Sequence, residues 1–378
     1  MCSSAHRLPG DSYTNGEDGP ILPAMSRHGL VVGLWMLAAL NTALTINAFL
    51  NALPLTDFSA FYDSAADYWR LGNLYRAHYN INLNPPHASV LLFTPLIGFE
   101  VRTAAIIWTS ASAVFVVVAL WLLQSEWKLS RARCELVVGV VAASIALNHS
   151  WREGQVGALL LILTSMAWIA LRRGHVSASV WLALAASIKP WIVPSLVAVR
   201  RRVAVIAAGM GLLGLVAGVL VCGVDNWIRW WAEVSAAKES FFDGPFNISI
   251  HGLIARLVSI DGPTKRSVVI PAWIISSLVL CAVTWLKQGT DETRAWLLWL
   301  LVGILISPIS WAYYLLVLTG PLVAWGETQR WPRLALAGIG LCVAPPWVVI
   351  MLPRQGWAIF SVGTLLIWWS VLTSRTNP

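Results

Sequence analysis

Long apolar runs constrain this chain more than any other feature of its sequence. Eleven runs lie at about 30–50, 101–123, 135–148, 155–171, 177–199, 203–222, 268–287, 295–306, 311–326, 334–350 and 357–373. Several reach the roughly 20 residues that a helix needs to cross the core of a bilayer. Only 12% of the residues are charged, about half the share found in soluble domains. The sequence therefore predicts an all-α, polytopic integral membrane protein.

Tryptophan and arginine both support a membrane location. The chain holds 23 tryptophans, and indole rings favour the interface between membrane and water. The net charge of +8 comes from short clusters between apolar runs, such as Arg131/Arg133, Arg172/Arg173 and 200–202. Such clusters orient membrane proteins with their basic side inward, so we expect a lipid bilayer as partner and no nucleic acid. Five cysteines without CxxC spacing or a Cys/His cluster predict neither a disulfide framework nor a zinc site.

We expect one transmembrane domain over residues 27–373, with about 11–12 membrane segments. Residues 1–26 are polar and predict a disordered cytoplasmic tail, and 374–378 form a second short tail. The first apolar run lacks a small-residue cleavage site, so it is interpreted as a membrane helix and not as a signal peptide. Outer loops are expected at 51–100 and 223–267.

The run 177–199 predicts a broken helix. Lys189-Pro190 stands in its middle, and arginines flank both ends. A charge at mid-membrane is costly unless it faces protein or a water-filled cavity, and Pro190 removes a helix hydrogen bond. Basic residues at both ends conflict with a single crossing. We therefore predict a re-entrant pair of half-helices that folds back at Lys189-Pro190. With this topology, the polar residues that do not belong to the basic clusters lie on the outer face.

These polar residues predict an active site or a transport pathway. Asp57 follows the first span, where a partly desolvated carboxylate can serve as a general base; the alternative is a solvated loop acid. Lys189 suits an anionic phosphate, or it snorkels or pairs with a carboxylate. Arg152 suits a phosphate through its planar fork, or it pairs with Glu153. The other candidates for substrate binding are Gln155, Asn247, His251, Arg256, Trp311, Tyr313 and Tyr314.

The order of several short motifs resembles glycosyltransferase family 87. The motifs, which span residues 50–326, are Asp57 after the first span, Gly72-Asn73-Leu74-Tyr75, Pro85-Pro86, Gly154-Gln155-Val156, Ile188-Lys189-Pro190, Asn247-Ile248-Ser249 and Ser307-Pro308-Ile309-Ser310-Trp311. The resemblance implies a GT-C fold in the plasma (inner) membrane. It also implies transfer of a sugar, typically mannose, from a polyprenyl phosphate to a glycan or glycolipid hydroxyl on the extracytoplasmic face. By position, Asp57 matches the family's base, and Lys189 matches the lysine expected at the phosphate.

One departure from the family pattern follows Trp311. Ala312-Tyr313-Tyr314 stands there, where family members often carry an acid and paired histidines. Tyrosine donates hydrogen bonds but does not titrate near neutral pH. This departure therefore bears on two properties, the identity of the transferred sugar and the activity itself.

The expected chemistry needs one carboxylate to accept a proton and cations to stabilise the departing phosphate. Phosphate is already a good leaving group, so a general acid and a divalent metal are both dispensable. We expect an inverting enzyme without a cofactor. Two alternatives stay open. A polyprenyl-phosphate pentose donor, such as an arabinofuranosyl donor, would keep the same chemistry. A transporter of a lipid or an anionic solute would also contain charges and broken helices, but the sequence shows no inverted repeat.

Overall fold

The described part of the chain is helical. The computed structural model describes residues 24–51, 55–75, 82–127, 129–241, 243–258, 263–329, 331–343 and 351–374. Within these ranges the only β-structure is an isolated antiparallel bridge between Asn247 and Trp311. The predicted tails at 1–26 and 374–378 lie almost wholly outside the described residues, and the first helix begins at Ala24.

The helices follow one another with short connections. In chain order they are α1 (Ala24–Asn51), α2 (Thr56–Leu71), α3 (Pro86–Phe93), α4 (Val101–Trp127), α5 (Arg131–Ala143), α6 (Ile145–Glu153), α7 (Gly157–Arg172), α8 (Ala178–Ile188), α9 (Arg201–Cys222), α10 (Val224–Phe241), α11 (Ile250–Leu257), α12 (Pro263–Lys287), α13 (Glu292–Ile306), α14 (Thr319–Thr328), α15 (Arg333–Cys342) and α16 (Ile359–Thr373). Short 3-10 segments cover Thr94–Leu96, Pro190–Ala198, Ala312–Leu318 and Arg354–Ala358.

Five helical stretches of the described chain are long and apolar enough to cross a membrane. They belong to α1, α4, α9, α12 and the stretch Gly356–Thr373 that contains α16. The pair α5–α6, bent by 45°, makes a sixth if it is counted as one span, and α7, α8 and α15 are shorter apolar helices. This arrangement confirms the all-α, polytopic membrane protein, with broken helices among its apolar segments.

Helix α13 forms the centre of the molecule. Every side chain from Arg294 to Leu305 is buried, whereas the long helices around it expose many large apolar side chains, as expected where lipid is the solvent. The 3-10 segment Pro190–Ala198 packs against α13 at Gly303. A Cβ atom at Gly303 would lie 2.2 Å from the carbonyl oxygen of Trp191, so only glycine permits this close approach.

The chain reverses direction at Lys189, as the sequence predicts. Helix α8 ends at Ile188, and the 3-10 segment starts at Pro190. After this segment the chain is back at the start of α8, where Oγ of Ser179 donates a hydrogen bond of 3.1 Å to the Val203 carbonyl. At the end of this return, Nη1 of Arg200 lies 3.2 Å from the Cβ position of Gly174. Both ends of the run 177–199 therefore lie at the same end of the molecule.

Ion pairs gather at this end of the molecule, which we call the basic end. Three of them join helix termini that are distant in sequence: Arg173–Glu126, Arg133–Glu327 and Arg200–Glu292. They bring together the terminal regions of α4, α5, α7, α13 and α14. The opposite end, which we call the site end, holds the start of α2, the turn between α6 and α7, and the reversal at Lys189.

Candidate active site

Asp57 and Gln155 meet at the site end, although 98 positions separate them in the sequence. Asp57 lies in the first turn of α2, and its Oδ2 accepts a hydrogen bond from Nε2 of Gln155. Burial raises the pKa of the Asp57 carboxyl, against the opposing effects of this hydrogen bond and of the Lys189 charge. A carboxylate with a raised pKa binds a proton more readily than a solvated aspartate, which suits a general base.

The turn between α6 and α7 fixes the position of Gln155. Gly154 ends α6 with a φ of 68°, in the left-handed region that favours glycine. A Cβ atom there would lie 2.5 Å from Cβ of Phe58, so the turn is pressed directly against α2. Nε1 of Trp108 donates a hydrogen bond of 2.9 Å to the Gly154 carbonyl, which holds the turn from the side of α4.

Lys189 lies at the bend between α8 and its 3-10 return. Its side chain is only 6% exposed, and its Nζ lies 5.6 Å from the centroid of the Tyr314 ring, within cation–π distance. Its charge acts on the Asp57 carboxylate, yet no ion pair forms between Lys189 and any described carboxylate. Within the described part of the chain, the ammonium therefore enters the site without a paired carboxylate.

Tyr313 and Tyr314 lie between two parts of the site, one around Lys189 and the other around His149. They are neighbours in the 3-10 segment Ala312–Leu318, and their ring centroids lie 4.7 Å apart at an interplanar angle of 79°. The Tyr314 ring contacts Trp191 and Lys189, whereas the Tyr313 ring lies 5.7 Å from that of His149. A ligand at Tyr314 would therefore lie near a cation, whereas a ligand at Tyr313 would lie near the His149 ring.

Asn247 holds the extended segment 308–311 in place by hydrogen bonds. It forms the β-bridge with Trp311, and its side-chain amide is fully buried. Oδ1 of Asn247 accepts hydrogen bonds from the backbone N–H groups of Ser249 and Ser310, at 3.2 and 3.0 Å. Its Nδ2 donates to the Pro308 carbonyl at 3.2 Å. These bonds hold Trp311 and the tyrosines that follow it.

His251 and Arg256 extend this support. Nδ1 of His251 lies 3.2 Å from the Pro308 carbonyl oxygen. The Arg256 guanidinium is 1% exposed and donates to the carbonyls of Gly244 and Asn247, at 2.8 and 2.9 Å. A third bond of 2.8 Å reaches Oγ of Ser361 on α16. Both side chains therefore bond to the scaffold behind the aromatic residues.

Arg152 lies at the rim of the site. Its side chain is half exposed, and its Nε lies 3.8 Å from Oε1 of Glu153. Glu153 in turn is close enough to Thr56 and Asp57 to interact with both. Of the predicted residues, the structure therefore groups Asp57, Gln155, Lys189 and the two tyrosines, with Arg152 beside them. Asn247, His251 and Arg256 form the supporting layer, and the Trp311 ring lies 6.2 Å from that of His149.

Three further residues of α6 lie at the site. His149 and Ser150 were not predicted from the sequence, whereas Glu153 was expected among the polar residues of the outer face. His149 packs against Tyr313, Ser150 lies behind Gly157, and Glu153 approaches the first turn of α2. The spacing of His149 and Glu153, four residues apart on a helix, places them on one face and is the signal that could have identified them. Among the described residues, no group of three or more His, Cys, Asp and Glu side chains is arranged to hold a metal ion.

Comparison with known proteins places the chain in a family. The sequence model of glycosyltransferase family 87 matches residues 82–308, which is more than half of the chain. The chain is 24% identical, over 94% of its own length and 94% of the relative's, to the polyprenol-phosphate-mannose-dependent alpha-(1-2)-phosphatidylinositol mannoside mannosyltransferase of Mycobacterium tuberculosis. No solved structure matches the chain significantly. The polar site at one end of a multi-pass helical membrane protein therefore belongs to a glycosyltransferase, and the chain is a member of glycosyltransferase family 87.

Proposed function

We propose that this glycosyltransferase moves a hexose, mannose, from a polyprenyl-phosphate donor to a hydroxyl of a glycan or glycolipid acceptor. The observation that carries the proposal is a partly buried carboxylate, Asp57, under the charge of a buried ammonium, Lys189, at one end of the membrane domain. Among the described residues, no carboxylate forms an ion pair with Lys189. The relative from Mycobacterium tuberculosis is named as a polyprenol-phosphate-mannose-dependent mannosyltransferase, which supports the choice of donor.

In the proposed reaction, Asp57 is the general base. The acceptor oxygen attacks the anomeric carbon while its proton passes to the Asp57 carboxylate, and the bond between the anomeric carbon and the phosphate oxygen breaks. Gln155 orients the carboxylate by donating to its Oδ2. Attack opposite to the departing phosphate inverts the anomeric configuration in a single step. One carboxylate then suffices as base, in contrast to the carboxylate pair of most glycosidases.

Lys189 stabilises the departing phosphate in this proposal. Negative charge develops on the phosphate as the bond to the sugar breaks, and a fixed cation in a poorly solvated site stabilises this charge more than water does. Lys189 suits this role because no carboxylate pairs with it in the described residues. Arg152, half exposed at the rim, is the second proposed phosphate contact, whereas Arg256 is occupied by bonds to the scaffold.

We propose further that the site faces the extracytoplasmic side of the plasma membrane. The ion-paired arginines lie at the basic end, and basic residues mark the cytoplasmic side of most membrane proteins. The site end is opposite. A lipid-linked donor suits a site at either end of the membrane domain, because its polyprenyl chain stays in the bilayer while the sugar phosphate reaches the polar site.

Cysteine labelling tests this orientation. In a background without native cysteines, Asp225→Cys lies on an exposed position of α10 at the site end, and His175→Cys on an exposed position between α7 and α8 at the basic end. We expect a membrane-impermeant maleimide to label the Asp225→Cys variant in intact cells, and the His175→Cys variant only after permeabilisation. The reverse pattern would place the site in the cytoplasm and contradict the proposed face.

A donor panel tests the proposed activity. The purified protein in lipid vesicles is given polyprenyl-phosphate mannose or a polyprenyl-phosphate pentose, with a membrane-lipid extract as acceptor. We expect transfer from the mannosyl donor, with polyprenyl phosphate released in equal amount. Transfer from the pentosyl donor alone would contradict the choice of hexose. Movement of the donor between leaflets without release of polyprenyl phosphate would favour a transporter.

A further inference from the structure

Four buried polar atoms beside Asp57 have no hydrogen-bond partner in the described part of the chain. They are the Tyr313 hydroxyl, Oγ of Ser150, Nδ1 of His149 and Oε1 of Gln155. A buried polar atom without a partner loses its hydrogen bonds to water and gains nothing in return. Such atoms call for an explanation, and a ligand that supplies the missing partners is one.

The four atoms belong to one region around Gly157. The Cβ position of Gly157 lies 2.7 Å from Oγ of Ser150 and 3.3 Å from Cδ2 of the Tyr313 ring. The His149 and Tyr313 rings are adjacent. The Gln155 backbone N–H donates to the Ser150 carbonyl at 2.8 Å, and the Gln155 side chain bonds Asp57. The region is therefore continuous with the carboxylate that we propose as the base.

The chemistry of these atoms favours a neutral ligand with several hydroxyl groups. The hydroxyls of Tyr313 and Ser150 can donate or accept, whereas Oε1 of Gln155 only accepts. A phosphate or a carboxylate offers acceptors and would leave the Gln155 oxygen unpaired. The negative charge of Asp57 would also repel such an anion. A sugar ring carries adjacent hydroxyls that donate and accept, so it can satisfy all four atoms.

The tyrosine pair divides this region from the cationic part of the site. Tyr314 lies under the Lys189 ammonium, where an anion is favoured. Tyr313 turns toward His149, and the carboxylates of Asp57 and Glu153 are the charged groups that act on it. A sugar phosphate has the same division, with a charged end and a neutral end rich in hydroxyls.

We propose that His149, Ser150 and Tyr313 form, with Gln155, a subsite for the hydroxyl groups of a sugar ring, separate from the phosphate contact at Lys189. This inference rests on the proposed function and deepens it. The sugar ring belongs either to the donor or to the acceptor, since both carry the same hydroxyl chemistry. His149 and Ser150 are thereby assigned to ligand binding together with Tyr313.

Conservative variants test the subsite. Tyr313→Phe and Ser150→Ala each remove one unpartnered hydroxyl and little else. We expect each to lower kcat/KM for one substrate by about tenfold, because one hydrogen bond to the ligand is lost. The melting temperature of the substrate-free protein should stay the same or rise, because the removed hydroxyl has no partner to lose. A purely structural role predicts a lower melting temperature.

Ser165→Ala is the matched control. Ser165 is also buried, and its Oγ has no hydrogen-bond partner among the described residues. It lies on α7 eight positions beyond Gly157, about 12 Å along the helix. We expect this variant to change neither kcat/KM nor KM for either substrate. Its melting temperature should change by the same amount as that of Ser150→Ala, because both variants lose one buried hydroxyl. A loss of kcat/KM in Ser150→Ala alone then reports the lost contact with the ligand.

Two kinetic arms identify the source of the sugar. Polyprenyl-phosphate mannose is varied at saturating membrane-lipid acceptor, and the acceptor is varied at saturating donor. A loss confined to the donor arm, or to the acceptor arm, supports the subsite and assigns it to that sugar. If Tyr313→Phe and Ser150→Ala match Ser165→Ala in both arms, the inference is wrong while the proposed function stands. No transfer by the wild-type protein would overturn both.

Discussion

Asp57→Asn should lower the rate of sugar transfer by about 10²- to 10⁴-fold, the range that general-base catalysis supplies. Asparagine keeps the size and shape of aspartate, and its Oδ1 can still accept the hydrogen bond from Gln155. Folding and donor binding should therefore be retained while proton acceptance is lost. The measurement is transfer from polyprenyl-phosphate mannose at matched protein amounts, with donor binding determined separately.

Asp63→Asn is the control for this variant. Asp63 lies on the same helix but is exposed to solvent, so its replacement should change the rate by less than about threefold, or about 0.6 kcal/mol in the barrier. An active Asp57→Asn variant together with an inactive Asp63→Asn variant would show that the base is assigned to the wrong residue.

The pH dependence of the wild-type enzyme gives a second measure of Asp57. A base must be deprotonated to act, so the rate should fall as the pH drops through the pKa of its carboxyl. A solvated aspartate has a pKa of about 3.9. Burial raises the pKa of Asp57, so the rate should fall at a higher pH than it would with a solvated aspartate as base. The residual activity of Asp57→Asn should lack this fall.

Local rules were enough to predict the main features of the fold. The apolar runs predict the helices because each run must bury its backbone polar groups within itself. The reversal at Lys189-Pro190 follows from two local facts, a missing backbone N–H and a charge that the bilayer does not tolerate. Neither feature depends on knowing which helices pack together.

Roles within the site depend on packing that the sequence does not reveal. Asn247 and Gln155 have the same chemical groups, yet the amide of Asn247 bonds the backbone of Pro308, Ser249 and Ser310, whereas the amide of Gln155 reaches the side chain of Asp57. Arg256 and Lys189 are both buried cations, but the Nη1 group of Arg256 donates to two backbone carbonyls, whereas the Lys189 ammonium lies over the Tyr314 ring. The contact of His149 with Tyr313 joins residues far apart in the chain, so residue type and local spacing could not predict it.

Lys189→Met should lower kcat/KM for the donor by about 10²- to 10³-fold, the usual loss when one group that stabilises developing negative charge is removed. Methionine has a similar length and no charge. Because Lys189 has no paired carboxylate among the described residues, its replacement leaves no anion unpaired and should not unfold the protein. The measurement is donor turnover at matched expression, together with the melting temperature.

Lys189→Arg and Lys287→Met complete the test of this lysine. Arginine keeps the charge but brings a larger, planar group into a space shaped for an ammonium, so it should restore only part of the activity. Lys287 lies exposed at the end of α12, and Lys287→Met should leave turnover unchanged. If Lys189→Met retained wild-type turnover, Lys189 would have a structural role, and the phosphate contact would have to be sought at Arg152, the remaining proposed cation at the rim of the site.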